Sequence, residues 1–157
     1  MMEIAGWTIA TVLVGTTIGI HYETMRIVSD KILPWAVSRF HDRRVMIIMI
    51  MALMLGHIAE IWLFALAFIL LSNLPALGQL SGDFDGSFSS FLYFSAVSYT
   101  SVGYGDIAPQ GPLREIAVSE SLIGLLMIAW SASFTYLKME RVWDSRSRLR
   151  NDHRHRP

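Results

Sequence analysis

The sequence predicts an all-α transmembrane protein, because of its composition and its long uncharged runs. Of its 157 residues, 53% are hydrophobic and 17% are charged, and the mean hydropathy is +0.43. A soluble domain of this length has too small an interior to enclose so much apolar surface. The formal net charge is zero and cysteine is absent, which excludes disulfides, thiolate metal sites and thiol catalysis.

Three runs are long enough to cross a hydrocarbon core about 30 Å thick, which needs roughly 20 apolar residues as a helix. The first run, 4–20, is uncharged. The second run, 45–71, contains a single charged residue, Glu60, and the third, 116–137, contains Glu120. The sequence therefore predicts three membrane-spanning helices.

A fourth apolar segment, 84–99, is too short to cross the membrane comfortably. It follows a turn-rich stretch and leads directly into Gly103 and Gly105, and Ser87 is a suitable helix N-cap. We expect a half-helix that enters the membrane and an extended segment that returns. Such backbone is tolerated at this depth only where it is buried in protein or lines an aqueous path.

The basic residues indicate the orientation, since twelve of the thirteen Lys and Arg residues lie in 21–44 and 138–157. Cytoplasmic segments carry such an excess. We therefore expect both segments in the cytoplasm, with the N-terminus and the re-entrant segment outside and the protein in the cell membrane. The first run lacks a basic flank before it, which favours a retained span over a cleaved signal peptide.

Residues 100–106 read Thr-Ser-Val-Gly-Tyr-Gly-Asp. This segment and its flanking helices, about 45–137, resemble the pore domain of potassium channels, whose selectivity filter has the pattern T-[TS]-V-G-Y-G-D. The resemblance implies a homotetramer that conducts potassium ions passively, without a cofactor, an enzymatic step or a nucleic-acid partner.

The implied organisation divides the chain into four parts. They are an N-terminal transmembrane helix (1–22), a cytoplasmic linker (23–44), a pore domain (45–137) and a basic cytoplasmic tail (138–157). Within the pore domain we expect an outer helix (45–72), a pore helix (87–99), a filter (100–106) and an inner helix (113–137).

The filter residues suit the coordination of a dehydrated cation. A row of backbone carbonyls faces one axis if left- and right-handed dihedrals alternate, and Gly103 and Gly105 accept positive φ. The resemblance implies ion-binding residues from end to end of the motif: Thr100, Ser101, Val102, Gly103, Tyr104 and Gly105. Potassium would bind at Ser101, Val102, Gly103 and Tyr104, with the Ser101 hydroxyl at the inner end.

The surroundings of the filter depart from the family pattern in several places. Ser101 stands where threonine is usual, and Tyr93 and Phe94 stand where many members have two tryptophans. Val97 stands where some members have a glutamate that pairs with the aspartate matching Asp106. We expect Val102 and Tyr104 to point away from the axis, with the Tyr104 ring held by Phe91, Tyr93 or Phe94.

Several positions are candidates for gating or support. Gly124 is either a hinge or a site of close helix packing. Matching from Gly124 makes four residues cavity or gate candidates: Ile128, Ala132, Ser133 and Tyr136. Glu120 would brace the back of the filter, and His57 with Glu60 would form a proton-sensitive contact; for both, plain interhelical hydrogen bonding is the alternative.

The remaining expectations concern the cytoplasmic side and the first span. The linker suits an interfacial helix broken at Pro34, or a simple tether, and both basic segments could contact anionic lipid head groups. Gly15 and Gly19 could dock the first span on the second span or on a neighbouring subunit. Two other functions stay open, a weakly selective cation channel and a non-conducting accessory subunit.

Overall fold

The structure is a computed structural model that describes the backbone of residues 2–154 and the side chains of residues 4–143. Three helical stretches are long and apolar enough to cross a membrane, which confirms the all-α transmembrane class. The elements in chain order are helix α1 (Met2–Ile27), a π-helical turn (Val28–Ile32), α2 (Leu33–Arg39), α3 (Asp42–Ser72), a 3-10 turn (Pro75–Leu77), strand β1 (Leu80–Gly82), α4 (Phe88–Tyr99), β2 (Ile107–Pro109) and α5 (Leu113–Arg154).

The first span continues well beyond the expected residue 22. Helical backbone runs through the π-helical turn to Arg39 and breaks at Phe40, which is extended with φ −129° and ψ 157°. Pro34 sits in the first turn of α2, where a missing N–H is tolerated. The wider turn before it, closed by the Leu33 N–H on the Val28 carbonyl, accommodates the ring. The predicted break at Pro34 is therefore wrong.

The last span also exceeds its expected end at residue 137, because α5 is helical as far as Arg154. The stretch 125–154 contains neither glycine nor proline, so nothing in it interrupts a helix. Lys138, the first residue of the expected basic tail, donates a hydrogen bond of 2.6 Å to Ser29 Oγ. Residues 155–157, and the side chains beyond residue 143, lie outside the described part, so lipid contact by the tail stays a prediction.

A two-stranded antiparallel ribbon, which the sequence did not predict, joins the approach to α4 with the end of the motif. Leu80 pairs with Pro109 and Gly82 with Ile107. The ribbon continues in a hydrogen bond of 2.8 Å from the Asp83 N–H to the Asp106 carbonyl. It therefore fixes both ends of the loop that contains α4 and the motif.

Helix α4 packs between α3 and α5. Two of its phenylalanines pack on other aromatic rings: the Phe94 ring lies edge-on to Phe68 at 5.0 Å and the Phe91 ring lies edge-on to Phe84 at 4.9 Å. The core cluster around α4 draws its other residues from α1, α3, the ribbon, the end of α4 and α5: Ala10, Phe64, Leu80, Tyr99, Ile107, Leu113, Ile116, Ala117, Ile123 and Met127.

Helix α1 packs on α3 and α5 at glycines other than the predicted pair. A Cβ at Gly56 would lie 2.7 Å from Cγ2 of Thr24, so α1 and α3 approach closely there. Gly15 and Gly19 have no atom within 4 Å of where a Cβ would stand. Docking of this pair on the second span is therefore wrong, and docking on a neighbouring subunit stays a prediction.

The close approach at Gly56 predicts opposite effects for two alanine substitutions. Gly56→Ala gains up to about 1 kcal/mol of helix propensity, but overpacking against Thr24 costs about 1–3 kcal/mol. Gly15→Ala gains the propensity without the clash. In thermal unfolding followed by tryptophan fluorescence, we expect a lower midpoint for Gly56→Ala and an equal or higher one for Gly15→Ala. Equal midpoints for the two variants would contradict the observed packing.

Candidate functional site

The N-terminus of α4 is capped by two side chains. Ser87 Oγ accepts a hydrogen bond from the Ser90 N–H at 3.2 Å, which confirms the predicted cap. Asp85, which the sequence analysis missed, accepts hydrogen bonds from the Ser87 N–H at 2.9 Å and the Ser90 hydroxyl at 2.5 Å. The Ser90 bond, with smaller contributions from Ser87, lowers the pKa of Asp85 to about 2.

The backbone of the motif alternates in hand. Ser101 has φ 57°, Gly103 has φ 56° and Gly105 has φ 82°. The predicted positive φ at the two glycines is thus present, and the alternation extends to Ser101. A side chain in this conformation costs roughly 1–2 kcal/mol, so the surrounding structure must hold Ser101 in place.

The amides and carbonyls of the motif have different surroundings. The Ser101 N–H donates to the Ser98 carbonyl at 2.9 Å, while the Val102 and Gly103 N–H groups donate to the Val97 carbonyl at 3.1 and 3.4 Å. Within the described residues, no hydrogen bond reaches the carbonyls of 100–105. Val97 therefore supports the motif through its backbone, and the motif's carbonyl oxygens are left for another ligand.

The two hydroxyls at the start of the motif bond to neighbouring helices. Thr100 Oγ1 donates to the Ala96 carbonyl of α4 at 2.7 Å. Ser101 Oγ donates to the Ser121 carbonyl of α5 at 3.3 Å. The motif is thus anchored to both helices that flank it.

The apolar side chains of the motif are open in the single chain. Val102 is 53% exposed and Tyr104 is 72% exposed. Among the described side chains, no aromatic ring stacks on Tyr104, because α4 turns Phe91 and Phe94 toward Phe84 and Phe68. In the single chain these two phenylalanines pack elsewhere, and the expected support of the Tyr104 ring stays a prediction for an assembled protein.

Tyr93 has a different partner at the end of the motif. Its hydroxyl donates a hydrogen bond of 2.8 Å to Oδ2 of Asp106. The tyrosine thus holds the carboxylate, which Val97 could not do through its side chain.

Glu120 is fully buried and contacts the back of α4 rather than the motif itself. Its Oε1 lies 2.5 Å from Ser95 Oγ, which also lies 2.8 Å from the Ile61 carbonyl. One hydroxyl proton cannot serve both acceptors. The arrangement is satisfied when the Glu120 carboxyl carries a proton and donates it to Ser95, which then donates to Ile61.

Glu60 lies at the centre of a buried polar cluster that joins four helices. We call it the Glu60 cluster; it comprises His21 of α1, His57 and Glu60 of α3, Tyr99 of α4 and Ser131 of α5. Glu60 Oε1 lies 2.9 Å from His21 Nδ1, and Oε2 accepts a hydrogen bond from the Tyr99 hydroxyl. His57 Nδ1 lies 2.8 Å from the same hydroxyl.

The other ring nitrogens of the two histidines meet at one serine. Ser131 Oγ lies 3.1 Å from His57 Nε2 and 3.3 Å from His21 Nε2. The predicted pair of His57 and Glu60 is therefore part of a larger interhelical network, and its proton sensitivity stays a prediction. His21, Tyr99 and Ser131 were not among the predicted site residues.

Gly124 is a site of close packing. A Cβ there would overlap the Tyr99 carbonyl oxygen and lie 2.9 Å from Cγ of its ring. Nearby, Ile128 and Ala132 line a cavity of about 330 Å³ that also reaches Thr100. Two other predicted positions, Ser133 and Tyr136, are exposed outside this cavity, and the gating roles of all these residues stay predictions.

The protonated form inferred for Glu120 predicts a contrast between two substitutions. The Gln amide in Glu120→Gln can donate to Ser95 as the protonated carboxyl does, so we expect little change in thermal stability. Glu120→Ala leaves Ser95 without this partner and opens a void, at a cost of about 1–3 kcal/mol. A Gln variant as unstable as the Ala variant would show that the carboxyl is charged.

The low pKa of Asp85 predicts a pH dependence. The pKa is about 2 in the folded protein and about 3.9 in an unfolded chain, so the contribution to stability is complete above the unfolded pKa. It is lost as the pH falls toward 2. Asp85→Asn should remove this part of the acid destabilisation in unfolding midpoints measured across that range.

The matched control is Asp83→Asn, since the Asp83 carboxylate makes no described hydrogen bond to α4. This variant should keep the wild-type dependence on pH. An Asp85→Asn profile identical to that of Asp83→Asn would contradict the capping role.

Comparison with known proteins places this architecture in a family. The sequence profile of a family described as an ion channel matches residues 56–140, which is more than half of the chain. The match begins in α3 and ends in α5, so it includes the complete motif and its supports.

Three curated relatives match shorter stretches. The inward rectifier potassium channel Kirbac3.1 of Paramagnetospirillum magnetotacticum is 39% identical over 57 residues, which are 36% of this chain and 19% of the relative. Protein LctB of Geobacillus stearothermophilus is 34% identical over 67 residues, 43% of this chain and 50% of the relative. Protein LctB of Bacillus caldotenax is 36% identical over 72 residues, 46% of this chain and 51% of the relative.

The chain thus spans about half or less of the length of these relatives. No solved structure matches it. The family profile covers the two helices, the half-helix and the motif between them, and the potassium-channel relative supports the same assignment. The chain belongs to the potassium-channel pore-domain family.

Proposed function

We propose that the protein is the subunit of a potassium-selective channel that conducts potassium ions passively through a pore formed by four copies. The observation that carries this proposal is the backbone of 100–105, whose positive φ values alternate and whose carbonyls accept no described hydrogen bond. Rings of such carbonyls replace the hydration shell of potassium in potassium channels. The relative named as an inward rectifier potassium channel supports the choice of ion.

The proposal needs a tetramer because one chain supplies one strand of carbonyls, whereas the filter of potassium channels is built from four such strands. Closed rotational symmetry is the usual arrangement of identical subunits. The exposure of Val102 and Tyr104 in the single chain supports the same assembly, since neighbouring copies would cover these side chains. The purified protein should therefore have four times the chain mass of 17.7 kDa.

The proposed direction of the pore follows from the helix dipole and from the charges. The C-terminus of α4 carries partial negative charge and ends beside the cavity lined by Thr100 and Ile128, where it favours a waiting cation. Asp106, held by Tyr93, would then face the outer mouth. The basic extension of α5 would lie in the cytoplasm, with the N-terminus outside.

The deciding experiment is the bi-ionic reversal potential of the purified protein in a planar bilayer, with potassium on one side and sodium on the other. We expect reversal close to the potassium equilibrium potential. Gly103→Ala should lose this selectivity or the current, because a Cβ at φ 56° strains the backbone. The matched control is Gly15→Ala, a helical glycine with nothing within 4 Å, which should behave as wild type.

The other outcomes separate the competing functions. A robust current that reverses near zero would identify a weakly selective cation channel and overturn potassium selectivity. Absence of flux, both in the bilayer and in liposomes under an imposed potassium gradient, would favour a non-conducting accessory subunit.

A further inference from the structure

We infer that the Glu60 cluster is a binding site for a divalent transition-metal ion, zinc above all, held by Nδ1 of His21, Nδ1 of His57 and the carboxylate of Glu60. This site uses side-chain nitrogen and oxygen atoms rather than the carbonyls of the motif, so its ligand chemistry is different. Two imidazole nitrogens and one carboxylate are ligands that suit zinc. Calcium and magnesium prefer all-oxygen sites, and potassium has no comparable preference for imidazole.

The distances among the ligand atoms fit such an ion. One atom from each of the three residues lies within 4.8 Å of the other two. Glu60 Oε1 lies 2.9 Å from His21 Nδ1, and Oε2 lies 3.5 Å from His57 Nδ1. Two ligands bonded to zinc at 2.0–2.2 Å in a tetrahedral arrangement lie about 3.3–3.6 Å apart. Small side-chain movements therefore suffice to admit the ion.

A fourth ligand is present on the same side of the cluster. The Tyr99 hydroxyl bonds to Glu60 and lies 2.8 Å from His57 Nδ1. Its oxygen, or a water that enters from the neighbouring cavity, can complete four-fold coordination. His57, Tyr99 and Ser131 line that cavity of about 330 Å³, which provides a path for the ion to His57.

Ser131 supplies the outer contact that histidine ligands require. A histidine that binds metal through Nδ1 carries its proton on Nε2 and donates it to an acceptor. Here both Nε2 atoms lie at one oxygen, Ser131 Oγ, at 3.1 and 3.3 Å. The two lone pairs of the hydroxyl can accept both N–H groups. Ser131 therefore already provides the acceptor that both histidines need when they bind metal through Nδ1.

Metal binding would tie α1 to α3 directly, through His21 on one helix and His57 with Glu60 on the other. It would act on the pore domain through Tyr99, which immediately precedes the motif, and through Ser131 of α5. We therefore expect the bound ion to stabilise the packing of these four helices. Zinc should accordingly raise the thermal unfolding midpoint of the full chain.

The test uses the full chain, purified through a tag without histidine, with His153 and His155 of the tail replaced by glutamine. After treatment with a chelator, the protein is titrated with cobalt(II) as a spectroscopic probe. We expect one cobalt ion per chain, with the intense visible absorption of a four- or five-coordinate site, displaced by an equimolar amount of zinc. Absence of this absorption in folded protein would overturn the proposal. The titration is made on protein in which the Glu60 cluster is unaltered.

Variants then identify the ligands. His21→Gln and His57→Gln should each weaken zinc binding at least tenfold, and Ser131→Ala, which keeps every ligand, should weaken it by about 10–100-fold. His41→Gln, an exposed histidine between α2 and α3, should leave the affinity unchanged. Equal affinity in His57→Gln and His41→Gln would overturn the assignment. Because metal is measured directly, the result is independent of whether the protein conducts potassium.

Discussion

Backbone that is neither helix nor sheet is costly inside a membrane, because each unpaired N–H or C=O group there costs several kcal/mol. The rest of the structure serves to hold one such segment, residues 100–105. The N–H groups of residues 100–103 donate hydrogen bonds to carbonyls of α4, and the Val97 carbonyl accepts two of these bonds. The carbonyls are left without internal partners, so α4 must be held firmly enough for the oxygens to keep their direction.

An aromatic contact and two sets of buried hydrogen bonds hold α4 against α3 and α5. Phe94 packs on Phe68, Ser95 joins Glu120 to the Ile61 carbonyl, and Tyr99 bonds to Glu60. The bond between Tyr99 and Glu60 also connects α4 to α1, because Glu60 bonds in turn to His21 of α1. Without α1, Glu60 would lack this partner. A pore domain without α1 would leave this buried carboxylate with fewer donors, at a cost that burial makes severe.

Patterns within short stretches of sequence predicted much of this structure, whereas contacts between residues far apart in the sequence were missed. Long apolar runs marked the three spans, Ser87 marked the start of α4, and the motif placed the left-handed glycines. His21 stands immediately after the first uncharged run, and an ionisable residue there could have been marked as a candidate. Its partner, however, lies 39 residues away, and no local pattern indicates such a pairing. The β-ribbon was missed for a related reason, since it pairs segments that are far apart in the sequence.

The length of α5 has a mechanical consequence. From Gly124, which packs against Tyr99, to the end of the helix at Arg154, the axis extends about 45 Å at 1.5 Å per residue. A tilt of about 10° at Gly124 would displace the far end by about 8 Å over that length. The helix therefore has the length of a lever arm, and a small rearrangement where Gly124 packs on Tyr99 would become a large movement at its distal tip.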